Sequence, residues 1–436
     1  MNILLKMIGR TEMILIKDGR VVDPKSGMDE NIDIIIDNGV IKAIGKFTSS
    51  SDYEIIIDAS GKIVAPGLID THVHFREPGF TYKEDIASGA ESAAAGGFTS
   101  VVCMANTKPV IDNVETLSYV LEKGRETGIN VFSAASVSKG LKGEELTDFE
   151  ELKEAGAVVF TDDGIPLRSE LLVKEAMEKA KACGMPVSFH EENPVFVEQS
   201  GINKGVVSDQ LGLGGALDYS EYSLVARDCM LALETGATIC IQHVSSAVSV
   251  EIIKLARKLG AHVHVEATPQ HFSLTEETVL TQGTNARVNP PLRTEKDKYA
   301  IIEALKDGTI DIIATDHAPH SAEEKAKSFK EAPSGMIGLE TSLALGITNL
   351  VRNGQLTMEE LLAKMTINPA ELYGLNKGFI EEGAAADIVI FDEFEKWTVK
   401  PPFHSKAVNS PFIGEELFGR VKYTICNGKV VYEDER

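Results

Sequence analysis

Apolar residues recur along this chain in two rhythms. Over the first sixty residues they alternate with polar ones in MILIKDGRVVD (13–23), IDIIIDNGVIKAIG (32–45) and EIIIDASGKIVAPG (54–67), interrupted at DNG and SGK. Alternation broken by such residues predicts strands joined by hairpin turns. The tail returns to this style in ADIVIFD (386–392) and YTICNGKVVYED (423–434). Both ends are therefore expected to build one small β-domain, a sandwich formed from residues 1–65 plus 380–436.

Between them the apolar runs become continuous. They are KIVAPGLID (62–70), TSVVCMAN (99–106), INVFSAAS (129–136), AVVFTDD (157–163), PVSFHEE (186–192), TICIQHVS (238–245), HVHVEATP (262–269) and DIIATDHAPH (311–320). Helical patterns separate them, as in 115–127, 169–184 and 250–260. Unbroken apolar strands alternating with helices indicate a parallel sheet covered on both faces. Eight of them predict an α/β fold, a (β/α)8 TIM barrel over residues 66–379. A doubly wound open sheet competes, but no G-x-G-x-x-G follows a first strand.

A barrel of this kind builds its active site at the C-terminal ends of the strands. Those ends carry His72, His74 and Arg76, then Asn106, Asp162 and Asp163, His190 and Glu191, His243, His271, and finally Asp316, His317 and His320. In DTHVHFR the two histidines and the arginine occupy alternate positions, which on a strand share a face. A lone H-x-H is commonly a polar strand edge, Arg76 alone a surface ion-pair partner, and Asn106 before TKP a turn former. Seven of the ten histidines at one end of the predicted strands are a different matter. His72, His74, His190 and His243, with Asp163 and Asp316, form a donor set suited to zinc or another divalent ion. Six donors exceed one tetrahedral site, so two metals sharing a carboxylate are expected. Spacing alone does not separate Asp162 from Asp163.

Composition narrows the partners. A formal charge of -23, from 66 acidic against 43 basic side chains, argues against nucleic acid or an anionic membrane surface. An anionic ligand must then be held by local positive charge. Five cysteines without C-x-x-C spacing suggest free thiols in a reducing cytoplasm. The opening residues lack the apolar stretch of a signal sequence, which predicts a mature cytoplasmic chain with Met1, Met7 or Met13 as its start. No run approaches a membrane span.

The ordered ligand set resembles the amidohydrolase superfamily over nearly the whole chain. Within it, GLIDTHVHFREPG, MANTKP, FTDDG, NPPLR (289–293) and ATDHAPH most resemble the class I dihydroorotases of pyrimidine biosynthesis. The resemblance implies reversible closure of N-carbamoyl-L-aspartate to L-dihydroorotate with loss of water. It implies two Zn2+ ions, one held by His72, His74 and Asp316 and the other by His190 and His243. Asp163, which abuts the glycine as the family ligand does, would bridge them. Most of the superfamily has a carboxylated lysine there, so the shorter aspartate suggests a second metal held less firmly. A water acidified between two metals is a nucleophile near neutral pH, with Asp316 as general acid and base.

On the substrate side the resemblance places His74, Arg76, Asn106, Asn289 and His320, with backbone groups of Ser334 and Gly335. Arg76 suits a bidentate grip on a carboxylate. The partner implied is this small-molecule substrate, with a homodimer and association with aspartate carbamoyltransferase as family analogies. Allantoinase or dihydropyrimidinase chemistry is the alternative, disfavoured by Arg76; a non-catalytic partner of the transcarbamoylase would be expected to have lost ligands. Two departures from the family pattern, Ala105 and Gln270, touch no proposed contact. His271 and His317 read as supporting residues, His262 and His264 as packing residues within strand seven, and the charge run 323–332 as a solvated helix or mobile loop.

Overall fold

The computed structural model describes residues 13–48 and 53–434, so Met1 and Met7 lie outside the described residues. The amino-terminal part contributes β1 (Ile14–Asp23), β2 (Met28–Asp37), β3 (Val40–Gly45), β4 (Ile55–Asp58) and β5 (Ile63–Pro66). Barrel strands follow: β6 (Leu68–Val73), β7 (Phe98–Cys103), β8 (Asn130–Ala135), β9 (Val159–Thr161), β10 (Val187–Phe189), β11 (Thr238–Ile241), β12 (His262–Ala267) and β13 (Ile312–Ile313). The tail adds β14 (Ile388–Thr398), β15 (Glu416–Cys426) and β16 (Lys429–Glu433).

The terminal strands form one sheet in the order β16-β15-β14-β5-β1-β2-β3, with β4 beside β1. The joint between the two ends of the chain is β14, antiparallel to β5 with Ile388 opposite Pro66. Alternate residues Ile14, Ile16, Ile34, Ile36, Ile388 and Ile390 supply its separate core, as period-two patterning requires. The DNG turn between β2 and β3 places Asn38 and Gly39 at φ 55° and 80°, the left-handed pair that matches strand twist.

The barrel strands lie in strict sequence order from β6 to β13. Closure comes where Val73 bridges His317 and the Asp70 carboxylate accepts the Thr315 N–H at 3.1 Å. Burial pushes Asp70 up to about 7, against the opposing bonds from Thr315 and His72. The result is an α/β barrel with a terminal β-sandwich domain. Among the described residues no helix is long and apolar enough to cross a membrane.

Three local expectations need correction. The run 62–70 is not one strand: it divides at Gly67, with Ile63–Pro66 in the terminal sheet and Leu68–Val73 in the barrel. A Cβ at Gly67 would lie 2.2 Å from Thr99 Oγ1, so β6 enters the barrel through a contact only glycine permits. His262 and His264 are not packing residues. Val263 and Val265 are buried while His262 is exposed and His264 half-exposed, the outward set of a strand that alternates. The charge run 323–332 is not uniformly solvated, because Lys325 is buried with 6% exposure.

Gly97 stands where the barrel meets the terminal sheet, at φ +88°, and a Cβ there would lie 2.7 Å from Val389 Cγ2. Gly97→Ala is expected to lower unfolding free energy by roughly 2 kcal/mol or more, read as a fall in the denaturation midpoint. An unchanged midpoint would show that this junction yields freely.

Candidate metal centre

The site forms where short strands stop. His72 lies within β6 and His74 one residue beyond its end, with ring centroids 5.3 Å apart. Arg76 reaches the same cavity by another route, since the strand has ended and its φ is +62°. Strand alternation therefore accounts for the histidines but not for the arginine. His243 and Asp316 also lie in the left-handed region, at φ 34° and 50°. For an L-residue this conformation costs roughly 1–2 kcal/mol, and such strain persists where surrounding packing enforces it.

Four imidazoles enclose one carboxylate. Asp163 Oδ1 lies 3.3 Å from His72 Nε2, 3.6 Å from His190 Nδ1 and 3.8 Å from His243 Nε2. Its Oδ2 lies 3.4 Å from His74 Nε2. Asp316 Oδ1 stands 3.0 Å from His74 Nε2 and 3.6 Å from His72 Nε2. Burial alone would raise the Asp163 carboxyl, but His72, His190 and His243 outweigh it and hold it well below the usual carboxylate range. Asp316 is lowered in the same way, burial being overcome by His74 and His72.

The donor set fits metal ions. His72 Nε2 is buried with no hydrogen-bond partner among the described residues, a polar atom that calls for one. His190 Nδ1 and His243 Nε2 face each other at 3.0 Å, a meeting of ring nitrogens that a shared cation would satisfy. Two groups emerge, His72, His74 and Asp163, and Asp163, His190 and His243, each with its ligand atoms within 4.8 Å of one another. Asp163 belongs to both. Nitrogen and oxygen donors in these numbers suit zinc and its first-row neighbours.

Neighbours orient the rings. Glu266, in β12, sets Oε2 3.2 Å from His72 Nδ1 while its Oε1 accepts the Thr71 hydroxyl at 2.6 Å. A proton donated from Nδ1 to this carboxylate leaves Nε2 free to face inward. Asn106 does the same for His74, with Oδ1 3.0 Å from Nδ1, and its Nδ2 donates to Asp163 Oδ2 at 3.1 Å. Asn106 thus lines the cavity but spends its amide on two members of the cluster. Glu266 was not legible as a site residue, although an ionisable side chain inside an apolar run was its signal. Asp162 faces the other way: it accepts the Ser138 N–H at 3.0 Å and the Ser138 hydroxyl, and burial raises it to about 6.

A cavity of about 130 Å³ opens on the cluster, lined by His74, Asp163, His190, His243 and Asp316 together with Arg76, Asn106, Asn289, Ser334 and Gly335. Burial lowers Arg76 to about 10, with Asp316 and Asp163 opposing the shift. His320 stands beside Arg76 and is not among the lining residues, with Nε2 3.3 Å from Arg76 Nη2 and 2.9 Å from the Ser334 carbonyl, and Nδ1 3.3 Å from Lys83 Nζ. Burial beside Arg76 and Lys83 pushes it down to about 2, which keeps it neutral. His271 bonds Thr268 Oγ1 at 2.7 Å and the Pro290 carbonyl at 3.1 Å. His317 Nδ1 accepts the Gly338 N–H at 3.2 Å. Both support loops rather than enter the cavity.

Residues 63–431 match the amidohydrolase family. The chain is 62% identical to the dihydroorotase of Clostridioides difficile over 96% of its length and 100% of that protein. It is 57% identical to the dihydroorotase of Clostridium acetobutylicum over 97% and 100%. Among solved structures it is similar to the L-hydantoinase (dihydropyrimidinase) of Arthrobacter aurescens, with a TM-score of 0.87, 28% identity, and coverage of 98% and 97% of the two chains.

Glu266→Ala is expected to weaken metal retention by about 10- to 100-fold, measured as metal lost to a competing chelator. Retention at the unaltered level would show that the carboxylate behind His72 does not set the ring.

Proposed function

This chain belongs to the amidohydrolase family and to its dihydroorotases, and from that premise we propose that it interconverts N-carbamoyl-L-aspartate and L-dihydroorotate in the cavity above Asp163. His72, His74 and Asp316 would hold one Zn2+, His190 and His243 a second, and Asp163 both. When bound, the ions supply Lewis acidity toward water and the scissile carbonyl. The chain supplies the remainder. Asp316 lies at the edge of the cavity with Oδ1 directed at His74. It is placed to accept the proton of the attacking water in hydrolysis and deliver it to the departing ring nitrogen. In cyclisation it removes that proton from the ureido nitrogen.

One observation carries the choice of substrate: a buried guanidinium shares the cavity with the ligand cluster. Dihydroorotate and carbamoyl aspartate both bring a carboxylate that can pair with Arg76 in bidentate fashion. Hydantoin, allantoin and dihydrouracil do not, and would leave the buried guanidinium without an anion from the ligand. Asn289, Ser334 and Gly335 line the wall beside Arg76 and offer donors and acceptors to the ring. A non-catalytic role is disfavoured because all six proposed ligands are present. Asp163 followed by Gly164 supports placement in class I. Five unpaired, buried cysteines support a reducing, cytoplasmic setting. Likeness to that class is the basis for a homodimer and for association with aspartate carbamoyltransferase.

The reading is tested by steady-state turnover of zinc-supplemented protein on dihydroorotate and carbamoyl aspartate, with hydantoin, allantoin and dihydrouracil alongside. Activity is expected on the first pair alone; preference for a ring without a carboxylate would overturn it. Asp316→Asn is expected to abolish turnover while substrate binding remains measurable. Arg76→Met is expected to cost roughly 2 to 4 kcal/mol of carbamoyl aspartate binding with metal content retained. Equal affinity in that variant would place the carboxylate elsewhere.

A further inference from the structure

Behind the cavity wall sits a lysine that the reaction does not use. Lys325 ends the short helix Ala322–Lys325 and is 6% exposed. Its Nζ donates to the Pro333 carbonyl at 3.1 Å and the Gly335 carbonyl at 2.9 Å. Burial lowers it to about 7, with Arg287 adding to the shift and Glu324 opposing it. An ammonium group is withdrawn from water here to hold two peptide oxygens, which is costly unless their placement matters.

The turn it holds forms part of the substrate cavity. Ser334 and Gly335 line the cavity, whereas Lys325 and His320 do not. All three carbonyls of the turn are bonded away from the lining groups: Pro333 to Lys325, Gly335 to Lys325 and also to Asn409 Nδ2 at 3.0 Å, and Ser334 to His320. Arg287 completes the brace, with Nε on Ser334 Oγ at 3.2 Å and its own carbonyl accepting the Gly335 N–H at 2.8 Å. Gly335 has φ +134°, and a Cβ there would come within 2.7 Å of Ala318 Cβ. The turn is therefore seated with little freedom to relax. A carbonyl dipole swung into the cavity would set a partial negative charge against a substrate that is itself anionic.

We propose that Lys325 is a positioning residue for substrate affinity: by drawing back the Pro333 carbonyl oxygen and, together with Asn409, that of Gly335, it keeps the cavity wall beside Arg76 free of negative dipoles and so admits a carboxylate-bearing ligand. The inference rests on the dihydroorotase reading for its substrate, but the brace itself is a property of the chain. Loss of Lys325 acts on binding and leaves Asp316 and the ligand cluster in place, so KM and kcat separate.

The test uses the full zinc-loaded chain and two variants, Lys325→Met, which removes every donor, and Lys325→Gln, which keeps a neutral donor on a shorter stem. Hydrogen exchange of the amides at 334–337 is measured beside KM and kcat for N-carbamoyl-L-aspartate. Lys325→Met is expected to raise both the exchange rates and KM about tenfold or more, with kcat within about twofold and metal content unchanged. Lys325→Gln is expected to shift both by about threefold, and it decides the matter if Lys325→Met does not fold. Exchange at the unaltered rate, or a loss confined to kcat, overturns the proposal. Absence of any dihydroorotate or carbamoyl aspartate turnover in the unaltered chain would instead overturn the substrate reading, and exchange alone would then decide the brace.

Discussion

A carboxylate taken out of water must be matched by positive charge or by donors, because its uncompensated desolvation costs several kcal/mol. Asp163 is buried at the mouth of the barrel and meets that requirement with four imidazoles, contributed by the ends of β6, β10 and β11. The arrangement is mutually enforcing. Each ring nitrogen that faces Asp163 is itself withdrawn from water, and the shared anion gives each of them a common neighbour. Asn106 bonds Asp163 directly and Asp316 bonds His74, while Arg76 lines the same cavity.

The backbone is bent to serve that convergence. β9, β10 and β13 are only two or three residues long, so each delivers its side chain and stops. Arg76, His243 and Asp316 then turn through the left-handed region, a conformation that a tightly packed barrel can hold. Glu266 and Asn106 fix which nitrogen of His72 and His74 faces inward. Geometry that would be strained in isolation is thus held by a closed barrel beneath it and by carboxylate and amide groups behind it.

Much of this was legible in one dimension. Continuous apolar runs mark buried parallel strands wherever they occur, and polar residues at their ends can be ordered without knowing any distance. That logic reaches His72, His74, His190, His243 and Asp316 directly. It fails where the deciding fact is a neighbour far away in sequence. The division of 62–70 depends on Thr99 standing against Gly67. The outward face of His262 and His264 depends on which alternate set of β12 the barrel buries. Asp162 and Asp163 differ only in that one finds Ser138 and the other the imidazoles. Lys325 is hidden in a charge run because charge patterning predicts solvation, whereas two carbonyls beneath the turn hold it inside.

Asp163 belongs to both groups of possible metal ligands, and on the reading proposed above it would join two metal sites. Anomalous diffraction at the zinc edge from crystals of the zinc-loaded chain decides this. Two peaks are expected, one against His72 and His74 and one against His190 and His243, with Asp163 adjoining both. A single peak, or a pair whose shared neighbour is any other residue, would contradict it.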